Sequence, residues 1–276
     1  LGDVYKRQSY DIDSDTLEKI KDLSKKTVIS QWFEDHLADT GPDFASNRKK
    51  LLKYDNFVTS NFITTHPSTL DFLRKKKNFH YLPIPVDKNI EKLKIYENNN
   101  QINDVFFSMS HGVNRGKLKR DKQDERHNFI TDLITECPNI IFDIYGYNNR
   151  EPVWAEDFYK VIVNSKMALN LTRGKPLKYL TSNRIASLIG NGLLTFIDKR
   201  TQLSNFFNGN EVIFYSGLED LANKINFYKS NDKKRINVAK KGRRKYFDLF
   251  ECQKVANYII SKSFNREISK KLKWMD

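Results

Sequence analysis

Short apolar runs alternate along this chain with longer stretches whose apolar residues recur every three or four positions. That alternation predicts strands separated by helices. Residues 14–26 read as an amphipathic helix, with Ser14 as N-cap and Leu17, Ile20 and Leu23 on one face. Strands follow at 27–30, 56–60 and 79–82. Helices are expected at 46–54 and at 67–77, the second opened by Pro67. Pro83 and Pro85 make 83–87 an extended linker, because proline biases the residue before it to extended geometry. The polar, Asn-rich stretch 91–103 reads as a domain boundary.

A second and fuller series begins at 104. Strands are expected at 104–109, 140–145, 167–171, 193–197 and 212–215. Helices are expected at 124–136, 154–164, 183–189, 218–228, 233–247 and 251–263. Strands alternating with helices imply parallel, doubly wound sheets. The later series is long enough for a complete Rossmann-like domain. The earlier one holds about three strands where such a domain needs roughly five or six. Residues 9–98 therefore read as a truncated N-terminal domain and 99–264 as a complete C-terminal one. Residues 265–276 form a basic tail, expected to be mobile, on which Trp274 is able to dock. Leu1–Gln8 resembles translated adapter sequence, so it is set apart as a leader, and the natural protein is expected to start upstream.

Composition adds little to the fold and something to the partners. Of the 276 residues, 39% are hydrophobic and 13% aromatic, enough for a real core. No apolar run approaches the roughly 20 residues of a membrane span. The two cysteines, Cys137 and Cys252, lie far apart and show no metal-ligand spacing, which suits a reducing compartment. Net charge is +14, which favours anionic partners without choosing among nucleotides, acidic membrane surfaces and nucleic acid. A Lys-rich surface from a low-GC genome would give the same number. The basic runs carry no interleaved aromatic stacking platforms, so nucleic acid ranks last. Zinc patterns, a Gly-x-Ser-x-Gly elbow and a helix-turn-helix are all absent from the sequence.

Chemistry concentrates between 165 and 198. An apolar run ends in Asn170 and is followed by Arg173-Gly174-Lys175, a turn with two cations. Ser182-Asn183-Arg184 then opens a helix. Free N–H groups and the helix dipole favour an anion there, and Arg184 can add a bidentate fork. Together these residues read as a diphosphate seat. An ordinary strand turn and an ordinary capped helix would show the same residues. After the strand at 104–109, His111, Gly112, Arg115 and Lys117 form a basic loop, which is neither a Walker loop nor a dinucleotide fingerprint. Glu34-Asp35-His36, at an expected strand end, is the cluster able to take a proton from an acceptor hydroxyl. Surface polarity beside a buried Trp32 and Phe33 is the plainer alternative.

In order and spacing, residues 165–247 resemble the C-terminal domain of group-1 glycosyltransferases with the GT-B fold. The resemblance is strongest to the branch that includes the CgeB-like proteins. It rests on Leu169-Asn170, Arg173-Gly174, Asn183-Arg184, Gly192, the strand ending in Asp198, Phe206-Phe207, Glu211-Val212, and Ala239 with Gly242-Arg243-Arg244. Arg126 and Tyr145-Gly146 fit the same branch. At position 187, where the family holds the donor ribose with a Glu, this chain has Ser187.

The resemblance implies transfer of a sugar from a nucleotide-sugar donor to a hydroxyl of a glycan or lipid-linked acceptor. It implies neither a metal nor a separate cofactor. The expected enzyme is cytoplasmic or peripheral to an anionic membrane, and the fragment is expected to bind donor even if it does not turn over. A non-catalytic nucleotide- or glycan-binding protein of the same fold is the alternative.

Overall fold

The computed structural model describes residues 12–24, 26–41, 43–109, 125–268 and 271–275. Two sheets organise them. The first contains β1 (Ser30–Phe33), β2 (Ser60–Ile63) and β3 (Phe79–Tyr81), in the order β1-β2-β3. The second contains β4 (Asn103–Ser108), β5 (Phe142–Tyr145), β6 (Ser165–Asn170), β7 (Leu194–Asp198) and β8 (Ile213–Tyr215). Its order is β5-β4-β6-β7-β8, and every pairing in both sheets is parallel. The chain winds from β4 to β5 on one side and returns to β6 on the other. The strand order therefore reverses between β4 and β6, where open sheets of this kind hold ligands at their carboxyl ends.

The period-2 alternation of strand side chains divides the second sheet's core. Val105 and Phe107 of β4 face Ile130 and Leu133 of α3 (Glu125–Glu136) and Leu221 of α6 (Leu218–Ser230). Phe106 faces the other way, onto Ile162 of α4 (Ala155–Ile162) and Leu188 of α5 (Asn183–Gly190). With both faces covered, strands become apolar throughout. All five residues of β7 are buried accordingly.

The helix α7 (Asp232–Phe250) packs on α5 and β7 with glycine at the closest approach. A Cβ on Gly242 would lie 2.1 Å from the carbonyl oxygen of Glu211. Gly242→Ala is expected to lower stability by about 1–3 kcal/mol through overpacking. Urea unfolding checks this, and an unchanged midpoint would mean that α7 does not bear on the turn at Glu211.

The first sheet departs further from the sequence expectations. The helix α1 (Ser14–Leu23) is capped by Asp13, not Ser14, because the Asp13 carboxylate accepts from the Thr16 N–H at 2.6 Å. Of the three expected apolar contacts only Leu17 is buried, while Leu23 is 87% exposed. β1 and β2 begin three and four residues later than the pattern suggests. Their polar members are enclosed for specific reasons: Asn61, fully buried, donates to the Asp55 carboxylate at 3.0 Å.

The helix expected at 67–77 is instead two short 3₁₀ turns, Pro67–Thr69 and Asp71–Leu73. Leu70 between them is extended, and it enters the core beside Leu73, Phe33 and Leu51 of α2 (Phe44–Lys53). The 91–103 stretch is packed as well as polar, with Ile95 1% exposed and its N–H bonded to the Asn191 carbonyl.

The chain's end returns to the first sheet. In α8 (Cys252–Ser263), Tyr258 meets Phe62 of β2 edge-on, and Ser263 shares a 2.6 Å hydrogen bond with Ser30 of β1. Trp274 docks beneath, 1% exposed, and donates its indole N–H to the Leu249 carbonyl. That part of the tail is anchored, since an indole N–H buried with a partner fixes the ring.

Candidate functional site

The loop leaving β6 is built around Gly174. Its φ is +70°, and a Cβ there would sit 3.1 Å from the Gly41 Cα. The positive φ favours glycine, and the close approach leaves little room for a side chain. The opposing Gly41 belongs to the loop between β1 and α2, so the two lobes touch at this point. Three further contacts seal the junction. The Lys175 N–H donates to the Thr40 hydroxyl at 3.1 Å. The Arg173 guanidinium donates to the Asp43 carboxylate at 3.0 Å. The Asn183 amide donates to the Glu34 carboxylate at 2.9 Å.

Sequence and geometry agree on the start of α5. Ser182 is its N-cap and accepts from the Ile185 N–H at 3.3 Å. The carboxylate held by Asn183 therefore lies at the positive end of that helix. Arg184 turns back toward the sheet. It donates to the Leu171 carbonyl at 3.0 Å and lies 5.1 Å over the Phe107 ring, at the ends of β6 and β4. The two arginines thus face different partners: Arg173 reaches the first lobe and Arg184 braces the point where strand order reverses.

Between these elements opens a cavity of about 440 Å³. The first turn of α3 gives it Glu125 and Arg126, and the β6 loop gives Thr172, Gly174 and Lys175. Asp198 and Arg200 enter from the end of β7, Tyr215 from the end of β8, and Thr40 from the other lobe. Arg126 is only 4% exposed. The Glu125 carboxylate accepts the N–H of Gly174. Burial pushes the Tyr215 phenol well above its ordinary range, so it remains a neutral donor. A cation wall of Arg126 and Lys175 can hold a diphosphate.

Of the expected diphosphate residues only Gly174 and Lys175 line this cavity; Arg173, Ser182, Asn183 and Arg184 do not, and neither do Glu34, Asp35 and His36. Glu34 touches α5, as above. Asp35 sits beside it, partly buried. His36 packs next to Arg173, and its Nε2 is enclosed without a hydrogen-bond partner. Burial first, then the Arg173 charge, lowers its pKa from 6.5 to about 4, so the ring is uncharged at neutral pH.

Ser187 is not among the cavity residues. Its carbonyl accepts from the backbone and side-chain N–H groups of Asn191. His111, Gly112, Arg115 and Lys117 lie outside the described residues. Sequence reasoning gave no chemical role to Thr40, Glu125, Asp198, Arg200 or Tyr215. For Glu125, Asp198, Arg200 and Tyr215 the usable signal was their position at or just beyond helix or strand ends on the carboxyl edge of the sheet; Thr40, on the other lobe, gave none.

Among the described residues, no group of three or more His, Cys, Asp or Glu is placed to hold a metal ion. No helix among them is long and apolar enough to cross a membrane.

A family model described as glycosyl transferase-like matches residues 122–261, half of the chain. No curated protein matches the sequence. Among solved structures, the chain is similar to Anabaena HepE in complex with UDP and glucose. The identity is 13% and the TM-score 0.62, over 90% of this chain and 75% of that one. It is also similar to TarM, at 12% identity and TM-score 0.57 over 87% and 51% of the two chains. A third likeness is to sucrose-phosphate synthase from Thermosynechococcus elongatus, at 11% identity and TM-score 0.54 over 91% and 71%. These neighbours are GT-B glycosyltransferases, and the fold is the Rossmann-like GT-B fold.

Proposed function

We propose that this chain, which belongs to the glycosyl transferase-like family, moves a hexosyl or related sugar from a nucleotide-sugar donor to an acceptor hydroxyl. The reading is carried by the cationic cavity at the carboxyl ends of β6, β7 and β8, where Arg126, Lys175 and the Gly174 loop converge. The bond between the anomeric carbon and the diphosphate oxygen breaks, and a bond to the acceptor oxygen forms. Negative charge then gathers on the departing diphosphate. Fixed cations in a cavity stabilise that charge without a metal. Arg173, Gly174, Lys175, Ser182, Asn183 and Arg184 form the donor side of this reading, with His111, Gly112, Arg115 and Lys117 completing it.

The acceptor's proton goes to the Glu34-Asp35-His36 segment. Glu34 is the favoured recipient, because its carboxylate lies at the α5 start, in the junction between the lobes. UDP is the first nucleotide to test, since structural neighbours bind UDP or UDP-glucose. A glycan or lipid-linked acceptor, the CgeB-like branch, and a cytoplasmic or membrane-peripheral site complete the proposal.

Calorimetric titration with UDP, GDP and ADP tests the donor site, and transfer from the matching nucleotide-sugars tests the activity. Lys175→Ala is expected to weaken the binding nucleotide about tenfold, the low end for a lost charge-assisted hydrogen bond. Failure of all three nucleotides to bind would refute the reading. A non-catalytic binding protein is the second reading, favoured by Ser187 and by the Glu125 carboxylate that occupies the Gly174 N–H. Measured sugar transfer excludes it.

A further inference from the structure

The cavity has two chemically different walls. One carries two cations, Arg126 and Lys175, together with the Glu125 carboxylate. The other, at the ends of β7 and β8, carries a closed ion pair. Asp198 is the last residue of β7 and lies beside Tyr215 of β8 in register. Its Oδ1 accepts from the backbone N–H and Nε of Arg200 at 2.8 and 3.0 Å. Its Oδ2 accepts from Nε and Nη2 at 3.0 and 2.6 Å. The carboxylate is held in the wall, its side chain 12% exposed, while the guanidinium side chain is 64% exposed. A second cavity of about 370 Å³ shares Asp198, Arg200 and Gly217 with the first, so the pair stands where the two meet.

A salt-bridged pair has no net charge with which to draw a diphosphate. It does offer fixed donors, the guanidinium hydrogens that do not face Asp198, and the neutral Tyr215 phenol adds another. That combination matches adjacent hydroxyl groups on a ring. We infer that Asp198 and Arg200, with Tyr215, form the subsite that reads the hydroxyls of the transferred sugar and so set donor-sugar specificity. Sites built to hydrogen-bond hydroxyls discriminate between sugars that present those hydroxyls differently. This rests on the nucleotide-sugar reading above, and the test keeps the two apart.

Affinities for UDP and for UDP-glucose are measured by calorimetry on wild type, Asp198→Asn and Arg200→Ala. The corresponding GDP and ADP pairs are used if UDP does not bind. Arg200→Ala leaves the largely buried Asp198 carboxylate without its cation, so the unfolding midpoint of each variant is measured and affinities are compared on folded protein. The expected result is a five- to tenfold fall in the preference for nucleotide-sugar over bare nucleotide, with bare-nucleotide affinity within twofold of wild type. An unchanged preference overturns the inference. Equal weakening of both ligands also overturns it, because the pair then serves the diphosphate. If no bare nucleotide binds wild type, the nucleotide-sugar reading itself falls, and the subsite with it.

Discussion

Arg126→Ala is expected to abolish measurable sugar transfer and to weaken UDP binding by about 100-fold, the upper range for a cation that hydrogen-bonds a phosphate in a buried setting. Three features single out this residue. It stands in the first turn of α3, where the helix end already favours an anion. It is 4% exposed, so its charge is poorly screened by solvent. It also lines the cavity together with Lys175, so the two cations can face one ligand. A buried arginine also packs, and alanine is expected to cost stability as well.

Arg126→Lys separates the two roles. It keeps the charge and most of the volume but loses the planar fork. Partial recovery of affinity with full recovery of the unfolding midpoint is the expected pattern. UDP affinity within twofold of wild type in a folded Arg126→Ala protein would remove this residue from the site.

The second sheet was legible because each of its strands is covered on both faces. Apolar runs such as Met167–Leu169 and Leu194–Ile197 then have no other reading, and each falls within one or two residues of its expected place. The first sheet was less legible because polar residues sit inside it. Asn61, Thr64 and Thr65 are each 2% exposed or less, and no periodicity of the sequence announces that. The helix expected at 67–77 failed where Leu70 turned into the core, a tertiary demand that local propensity does not contain.

The site shows the same division. Gly174, Ser182 and the α5 start were readable because φ, capping and helix polarity are local properties. The partners of Arg173, Asn183 and Lys175 were not readable. Asp43, Glu34 and Thr40 stand more than 100 residues away in the chain, on the other lobe. Asp198 looked like an ordinary strand end until its bonds to Arg200 fixed it in the cavity wall.

The junction between the lobes is expected to weaken as the solution is acidified, and His36 is the main reason. In the unfolded chain this imidazole takes a proton near pH 6.5. In the folded protein burial, then the Arg173 charge, hold its pKa at about 4, against a weaker opposing hydrogen bond with the Lys175 backbone. Above pH 6.5 both states are neutral at this site, and stability is complete. Between 6.5 and 4 the unfolded chain binds a proton that the native ring refuses, so stability falls as pH falls. Below 4 both states are protonated and the loss levels off at about 3 kcal/mol.

His80 is also held at about 4, by burial and then by the Lys262 charge, but it is less enclosed and adds a smaller loss over the same window. The informative quantity is the difference between proteins. Urea unfolding of wild type and His36→Asn at pH 7.5, 6.0, 5.0 and 4.5 is expected to give a distinctly flatter profile for the variant. Superimposable profiles would show that the imidazole is not kept neutral beside Arg173.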